Sequence, residues 1–335
     1  MKHHIQKNAT AYFAGLFLLL FCTSLWAVNG KFSPFVETFP SGKADWDSGY
    51  FYGTGKGYPL LNDGSKAKAL KVAQANALSA ILQVASQLRV DDRNTLGDLE
   101  KEKVIIRISG LIQYEPHAQE FVQEGKESFY RVTYRAPMKG VKGLTRQILT
   151  SLRSQPGAGG ETGRGGGPVN ENDESPWLVL DARALKGPSR PQPAILPRVI
   201  TENGETLSDF TTVEEQALVQ KGMARYVVSD RSREDLMSMG REERAADLVR
   251  LLSPGPAFAQ EKGERKRQTR FIVKDVTQVQ GLAKTNLVVS DADAREIREE
   301  DASSRILKKC RVIVVVSSAL GGIEGGLLNQ FAMFW

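Results

Sequence analysis

The sequence predicts an α+β protein in two parts: an N-terminal β-α-β-β module with one long helix packed on a small sheet, then a second, mixed α/β module. Three observations lead there. An aromatic, glycine-punctuated strand is followed by an alanine-rich segment whose apolar residues recur at helical spacing. A glycine-rich stretch at 154–176 has the composition of a flexible linker. Beyond it, short Val/Ile-rich runs alternate with polar helical segments.

In the first module, placed at 45–153, Gly49 to Tyr58 reads as an aromatic strand running into a glycine turn, closed by Pro59. Asn62, Asp63, Gly64 and Ser65 supply a turn and an N-cap. From Lys66 to Leu88 no Gly or Pro intervenes, and Leu70, Ala73, Ala77, Ile81, Val84 and Leu88 form one apolar stripe. Such a helix is a rod of ~35 Å, and its alanines predict a close approach to the sheet. Lys103–Tyr114 and Glu127–Tyr134 have strand composition, with a hairpin turn at Glu124, Gly125 and Lys126. Gly143–Arg153 is expected to be a short closing helix.

The second module is placed at 177–316. Its expected strands are Trp177–Ala182, Ile195–Ile200, Thr206–Leu207, Met223–Val228, Phe271–Val279, Thr285–Val289 and Arg311–Val316. Glu202, Asn203 and Gly204 signal a hairpin. Helices are expected at Glu234–Leu252 and Asp291–Lys309. A low-complexity insertion, 253–268, interrupts the module, and a tail follows at 317–335.

The composition narrows the chemistry. The chain has 335 residues, 41% hydrophobic and 25% charged, which excludes wholesale disorder. Two cysteines and three histidines are too few for a disulfide scaffold, a zinc finger or an iron–sulfur cluster. Residues 1–27 read as a secretory signal peptide: Lys2 and Lys7 precede an apolar run from Ala11 to Trp26. Cleavage between Ala27 and Val28 is preferred, with cleavage after Gly30 as the alternative. Cys22 invites a lipoprotein reading that Phe21 opposes, and an uncleaved anchor is the remaining alternative. Cleavage would leave Cys310 and His117 as the one thiol and the one imidazole. A formal charge of +6 over this length is no nucleic-acid signature.

Few residues invite a chemical role. Gly53-Thr54-Gly55-Lys56-Gly57 suggests a phosphate loop, but the Walker spacing fails, and turn or bulge glycines are expected. Asp291-Ala-Asp293 is half a metal site or, preferably, a helix cap; Asp181 or Asp209 would be needed to complete a metal site. His117 has no second histidine beside it, Cys310 adjoins a Val/Ile strand and reads as inert, and no G-x-S-x-G elbow exists. No cofactor or metal is expected. Lys262, Arg265, Lys266 and Arg267 form a basic cluster, read as a solvated loop or as contact with an anionic envelope surface or partner. In the tail, Phe331, Phe334 and Trp335 are candidates for docking on a partner or membrane surface.

The first module resembles the Lpp-twenty lipoprotein family and its FlgP-like flagellar relatives. The resemblance is carried by the G-T-G-K-G-Y-P segment at Gly53–Pro59, the Ser65-x-x-x-Ala69 helix start, Ala73, Ala77 and Leu78 on the long helix, and S-G-L-I near Gly110. The second module is similar to an extension of exported bacterial proteins, through LVLDARAL at Leu178–Leu185, ILPRVITENG at Ile195–Gly204, KGMARY at Lys221–Tyr226, VVSDADAREIR at Val288–Arg298 and CRVIVVV at Cys310–Val316. With no convergent polar cluster in the sequence and an export signal at its start, a non-enzymatic, periplasmic or outer-membrane-associated protein, structural or accessory to assembly, is expected, and the resemblance adds flagellar association as an option. Such a protein would act through protein partners in the envelope, with self-association and membrane-surface contact admitted and nucleic acid excluded. The competing expectation is a ligand-binding module or hydrolase in the C-terminal half, which would gather Asp181, Arg183 and Asp291 around a pocket.

Overall fold

Glycine meets alanine at the centre of the first module. A computed structural model describes residues 32–103, 108–153, 175–230 and 270–318, all within the unit that begins at Phe32. In it, β2 (Val36–Phe39), β3 (Gly42–Asp45), β4 (Tyr50–Gly57), β5 (Glu115–Glu124) and β6 (Glu127–Pro137) form an antiparallel sheet in the order β2-β3-β4-β6-β5. Helix α1 (Lys66–Gln87) lies across it, begun by Ser65, whose hydroxyl accepts the N–H of Lys68 at 3.3 Å. Alternate residues of β4 face that helix, and three of them are glycine. A Cβ on Gly53 would stand 2.2 Å from Ile81 N, on Gly55 2.2 Å from Ala77 N, and on Gly57 2.0 Å from Ala69 O. The G-x-G-x-G run is therefore neither a turn nor a bulge. It is a strand whose missing side chains admit the helix backbone. The helix answers with Ala69, Ala73 and Ala77, each fully buried. Where the strand carries Phe51, the helix turns larger side chains inward, and Ile81, Val84 and Leu88 enter the main core. Each such buried aliphatic contributes ~1.5–3 kcal/mol.

Two short helices follow, α2 (Leu96–Lys101) and α3 (Ile108–Leu111). The first carries a capping box in which Thr95 and Asp98 bond each other's backbone, and hydrogen bonds from Thr95 pull the Asp98 carboxyl down to about 2. Helix α3 corrects the expected strand at Lys103–Tyr114. Ile108 and Ile112, four residues apart, are both buried, which a helical turn achieves. The strand paired with β6 is instead the polar Glu115–Glu124, which lies at the sheet edge and is largely exposed. The hairpin turn at Gly125 and Lys126 stands where expected, with Gly125 at φ +61°. Helix α4 (Leu144–Arg153) closes the module. The module's sheet begins at Val36, ahead of the expected residue 45, because β2 and β3 are short strands without a marked apolar pattern.

The second module has two sheets. The larger runs β1-β10-β14-β7-β11: β1 (Ser33–Pro34), β10 (Arg225–Val228), β14 (Val312–Val316), β7 (Trp177–Asp181) and β11 (Phe271–Asp275). It is parallel apart from β1. Both of its faces are buried: Val179, Val227, Ile313 and Val315 pack with Phe32 on one, while Leu178, Leu180, Tyr226 and Val314 join the main core on the other. The second sheet, β12-β13-β8-β9, comprises β8 (Val199–Thr201), β9 (Thr206–Ser208), β12 (Gln278–Gln280) and β13 (Asn286–Val289). The N-G hairpin joins β8 to β9, with Gly204 at φ +82°. Helix α5 (Glu215–Lys221) precedes β10. Helix α6 (Asp291–Ser304) stops before the expected Lys309, since Arg305 takes a left-handed conformation and ends it. The expected signal peptide, helix 234–252, insertion 253–268 and residues 319–335 lie outside the described residues, as does the linker up to residue 174.

One hydrophobic cluster spans both modules. Substituting Gly55 by alanine should therefore cost at least ~3 kcal/mol, the upper end of overpacking penalties, because the clash is with helix backbone. Gly110, whose added Cβ meets nothing within 4 Å, should tolerate alanine; urea denaturation of the two variants checks the contrast.

Candidate functional site

Charged side chains are rarely buried without partners, and one group of them lies where the modules meet. The Asp45–Gly49 turn builds the first part. The Asp45 carboxylate accepts the N–H groups of Asp47 and Ser48 at 3.0 Å, and Gly49 finishes the turn at φ +75°. This aims Asp47, 7% exposed, at Arg225 on β10. Arg225 donates from Nε at 2.9 Å and from a terminal nitrogen at 2.6 Å to one oxygen of Asp47. Burial outweighs the guanidinium and leaves the Asp47 carboxyl above its ordinary pKa.

Lys139 reaches the same place from the end of β6. Its stem threads between two glycines with positive φ: a Cβ on Gly49 would lie 2.7 Å from Lys139 Cδ, and one on Gly222 3.1 Å from Cε. The amino group donates to the Asp47 carbonyl at 3.1 Å. The residue is half-buried. Desolvation, reinforced by the neighbouring Arg225 charge, brings its pKa down to about 8, against the pull of Asp47 and Asp45. A second knot lies nearby. Arg89 donates to Glu37 at 2.5 Å and to the Pro193 carbonyl at 2.8 Å, and Trp46 Nε1 donates to the same Glu37 oxygen at 3.0 Å. Beside Lys139 runs a crevice of about 20 Å³ walled by Trp46, Met138, Thr145, Ala194, Ile195 and Met223. That volume suits a single water rather than an organic ligand.

The residues singled out from sequence are distributed otherwise. Asp181 is engaged by Arg183, which donates from Nε at 2.8 Å and a terminal nitrogen at 2.7 Å in a two-pronged pair. Asp291 accepts from Asn203 at 2.5 Å, so its observed partner is the β8–β9 hairpin. Ser290, not an aspartate, caps α6; Asp291 and Asp293 occupy the first turn, and Asp293 pairs with Lys274 at 3.0 Å. Asp209 accepts from Thr211 and Thr212 within its own turn. Among the described residues, no three His, Cys, Asp or Glu side chains converge as metal ligands. His117 lies edge-on to Tyr52, ring centroids 5.1 Å apart. Cys310 is buried, and burial pushes its thiol up to about 12. Ala27, Val28, Lys262, Arg265, Lys266, Arg267, Phe334 and Trp335 lie outside the described residues.

Sequence reasoning did not single out Asp47, Lys139, Arg225, Glu37 or Arg89. The one local signal was the D-W-D-S-G turn, because the partners are remote: Arg225 lies 178 positions from Asp47. Arg225 belongs to a stretch with a known likeness. The family model described as Treponema pallidum Tp0624, second domain, matches residues 177–247 and 256–318. No curated protein matches the chain. The likeness covers about two-fifths of the sequence and takes in every described element from β7 to β14. Asp47 and Lys139 lie outside it, so the buried charges join a matched segment to an unmatched one.

Because its folded pKa is below the ordinary 10.5, Lys139 is more readily neutral in the folded chain than in the unfolded one. Its charge opposes folding most below pH 8, and that opposition fades as pH rises toward 10.5. The full effect is of order 3 kcal/mol. Cys310 acts oppositely above pH 9, where the unfolded thiol ionises first. The difference in unfolding free energy between the wild type and Lys139→Met should therefore change by ~1–3 kcal/mol from pH 7 to 10, the wild type gaining relative to the variant. Denaturant titrations across that range provide the check.

Proposed function

We propose that this protein is a non-enzymatic structural or assembly component of a bacterial envelope, acting through protein contacts. The observation that carries the reading is the use made of its buried charges. Asp47 pairs with Arg225, and Arg89 bonds the Pro193 carbonyl, across the two modules, while Lys139 on the Asp47 carbonyl and Glu37 on Arg89 brace those contacts from within the first. The crevice beside them is of water size. Such an arrangement fixes one mutual orientation of two sheets, as a scaffold requires. The envelope part of the proposal is supported by the signal-peptide pattern of residues 1–27, and its flagellar variant by the Lpp-twenty and FlgP-like resemblance of the first module. The likeness to the Tp0624 second domain adds a domain relationship without an activity.

Deleting the gene should impair motility or envelope integrity, and a tagged full chain should capture envelope proteins. Wild-type behaviour in both phenotypes would overturn the proposal. N-terminal sequencing of the protein from cells should begin at Val28 or Lys31; an intact Met1 would refute cleavage.

A further inference from the structure

The turn between β4 and α1 presents an exposed apolar tip close in sequence to several exposed lysines. Leu60 and Leu61 are 88% and 78% exposed, side by side at its tip. They are held there by a well-bonded turn: Leu61 N–H donates to Tyr58 O, the Asn62 side chain to Tyr58 O at 2.7 Å, Gly64 N–H to Pro59 O, and Ser65 N–H to Asn62 O. Paired leucines on a rigid projection do not arise from a floppy loop.

Lysines follow them on α1. Lys66, Lys68 and Lys71, all exposed, occupy the start of α1, whose first turn has no acidic residue. The N-terminus of a helix carries a partial positive charge and favours acids, so Lys66 and Lys68 in the first turn are a local electrostatic conflict of the kind that marks function. Lys68 is partly answered by Asp63 at 3.0 Å. Lys56, near the end of β4, is exposed as well, its amino group 4.4 Å from the centre of the Phe129 ring. The β5–β6 hairpin adjoins the same end of the sheet, since the Lys66 amino group sits 5.1 Å from the ring of Phe121, itself 44% exposed.

We propose that this end of the first module, centred on Leu60 and Leu61 and rimmed by Lys56, Lys66, Lys68 and Lys71, docks on an anionic lipid interface. A bilayer surface accommodates both features at once. The leucines enter the acyl boundary while the lysines stay at the level of the headgroups, their stems alongside the apolar tip. A dissolved anion would satisfy the lysines and leave the leucines in water; an apolar protein groove would do the reverse. The inference rests on the envelope reading for where such a surface is met, but its test in vitro does not depend on any cellular phenotype.

The full chain is mixed with vesicles of phosphatidylcholine alone, or of equal parts phosphatidylcholine and phosphatidylglycerol. Because residues 11–26 are apolar and could bind by themselves, the readouts are differences between variants and a local probe. Leu60→Asp/Leu61→Asp and Lys66→Glu/Lys68→Glu/Lys71→Glu should each weaken binding to the phosphatidylglycerol vesicles by ~10-fold or more. Leu282→Asp, at a position equally exposed elsewhere, should bind as the wild type does. An environment-sensitive fluorophore on Leu61→Cys, in a Cys22→Ser background, should shift to the blue with phosphatidylglycerol vesicles only. The proposal falls if the tip variants bind like the wild type, if the probe ignores anionic vesicles, or if it responds equally to phosphatidylcholine. An acidic, apolar protein surface as the true occupant would show itself by the second of these results. The substituted leucines and lysines are all exposed, and unchanged melting curves confirm that a loss of binding is not a loss of fold.

Discussion

The distance between β4 and α1 sets the geometry of the first module. Gly53, Gly55 and Gly57 leave no side chains on the strand's inner face, and Ala69, Ala73 and Ala77 leave almost none on the helix. Backbone therefore packs nearly on backbone over half the helix length. Near Phe51 the same helix meets larger side chains, and Ile81, Val84 and Leu88 carry the packing into the core shared with the second module. The gradient from small to large along one helix means that its far end is the one committed to the module junction.

At that junction apolar packing and polar pairing act together. Phe35, Trp46 and Tyr226 meet edge to face at about 6.4 Å, and the polar knots of Asp47 with Arg225 and of Glu37 with Arg89 flank them. The apolar contacts supply most of the free energy and tolerate sliding. The charged pairs add little net stability but penalise any other register, because a displaced partner leaves a buried charge unanswered. Further backbone bonds, Ile195 to Arg89, Leu196 to Val90 and Gly140 to Val219, set the same register.

Much of the fold was legible in the sequence where local pattern and burial agree. The Ser65 cap, the 3/4 spacing of α1, the Gly125 turn and the Val/Ile strand β14 all express their environment in their own residues. The failures have a common physical cause. Strand β5, EPHAQEFVQE, is exposed on an edge, so no burial stamps an apolar alternation on it. The neighbouring Ile108 and Ile112 do carry apolar character, but a single helical turn satisfies it as well as a strand would. The role of the glycines in β4 was hidden because a strand glycine and a turn glycine look alike until the partner helix is placed. The charged junction was least legible, since the state of Lys139 depends on Asp47 and Arg225, which two other segments bring to it.

The order of the larger sheet has a consequence in time. Its middle strand, β14, is the last described strand in the chain, and it pairs in parallel with β7 on one side and β10 on the other. Until residue 316 is available, β7 and β10 lack the neighbour that separates them, and their Val and Leu side chains have no complete layer to join. The N-terminal β1 must wait as well, because its partner β10 is part of the same unfinished sheet. The first module's hairpins can form from local sequence, whereas the second is closed by its final strand and has the long-range contacts of a slow folder. Synthesis, or passage through any channel, therefore yields an incomplete molecule until almost the whole chain has emerged, and a chain cut short before β14 would lose the sheet rather than merely its end.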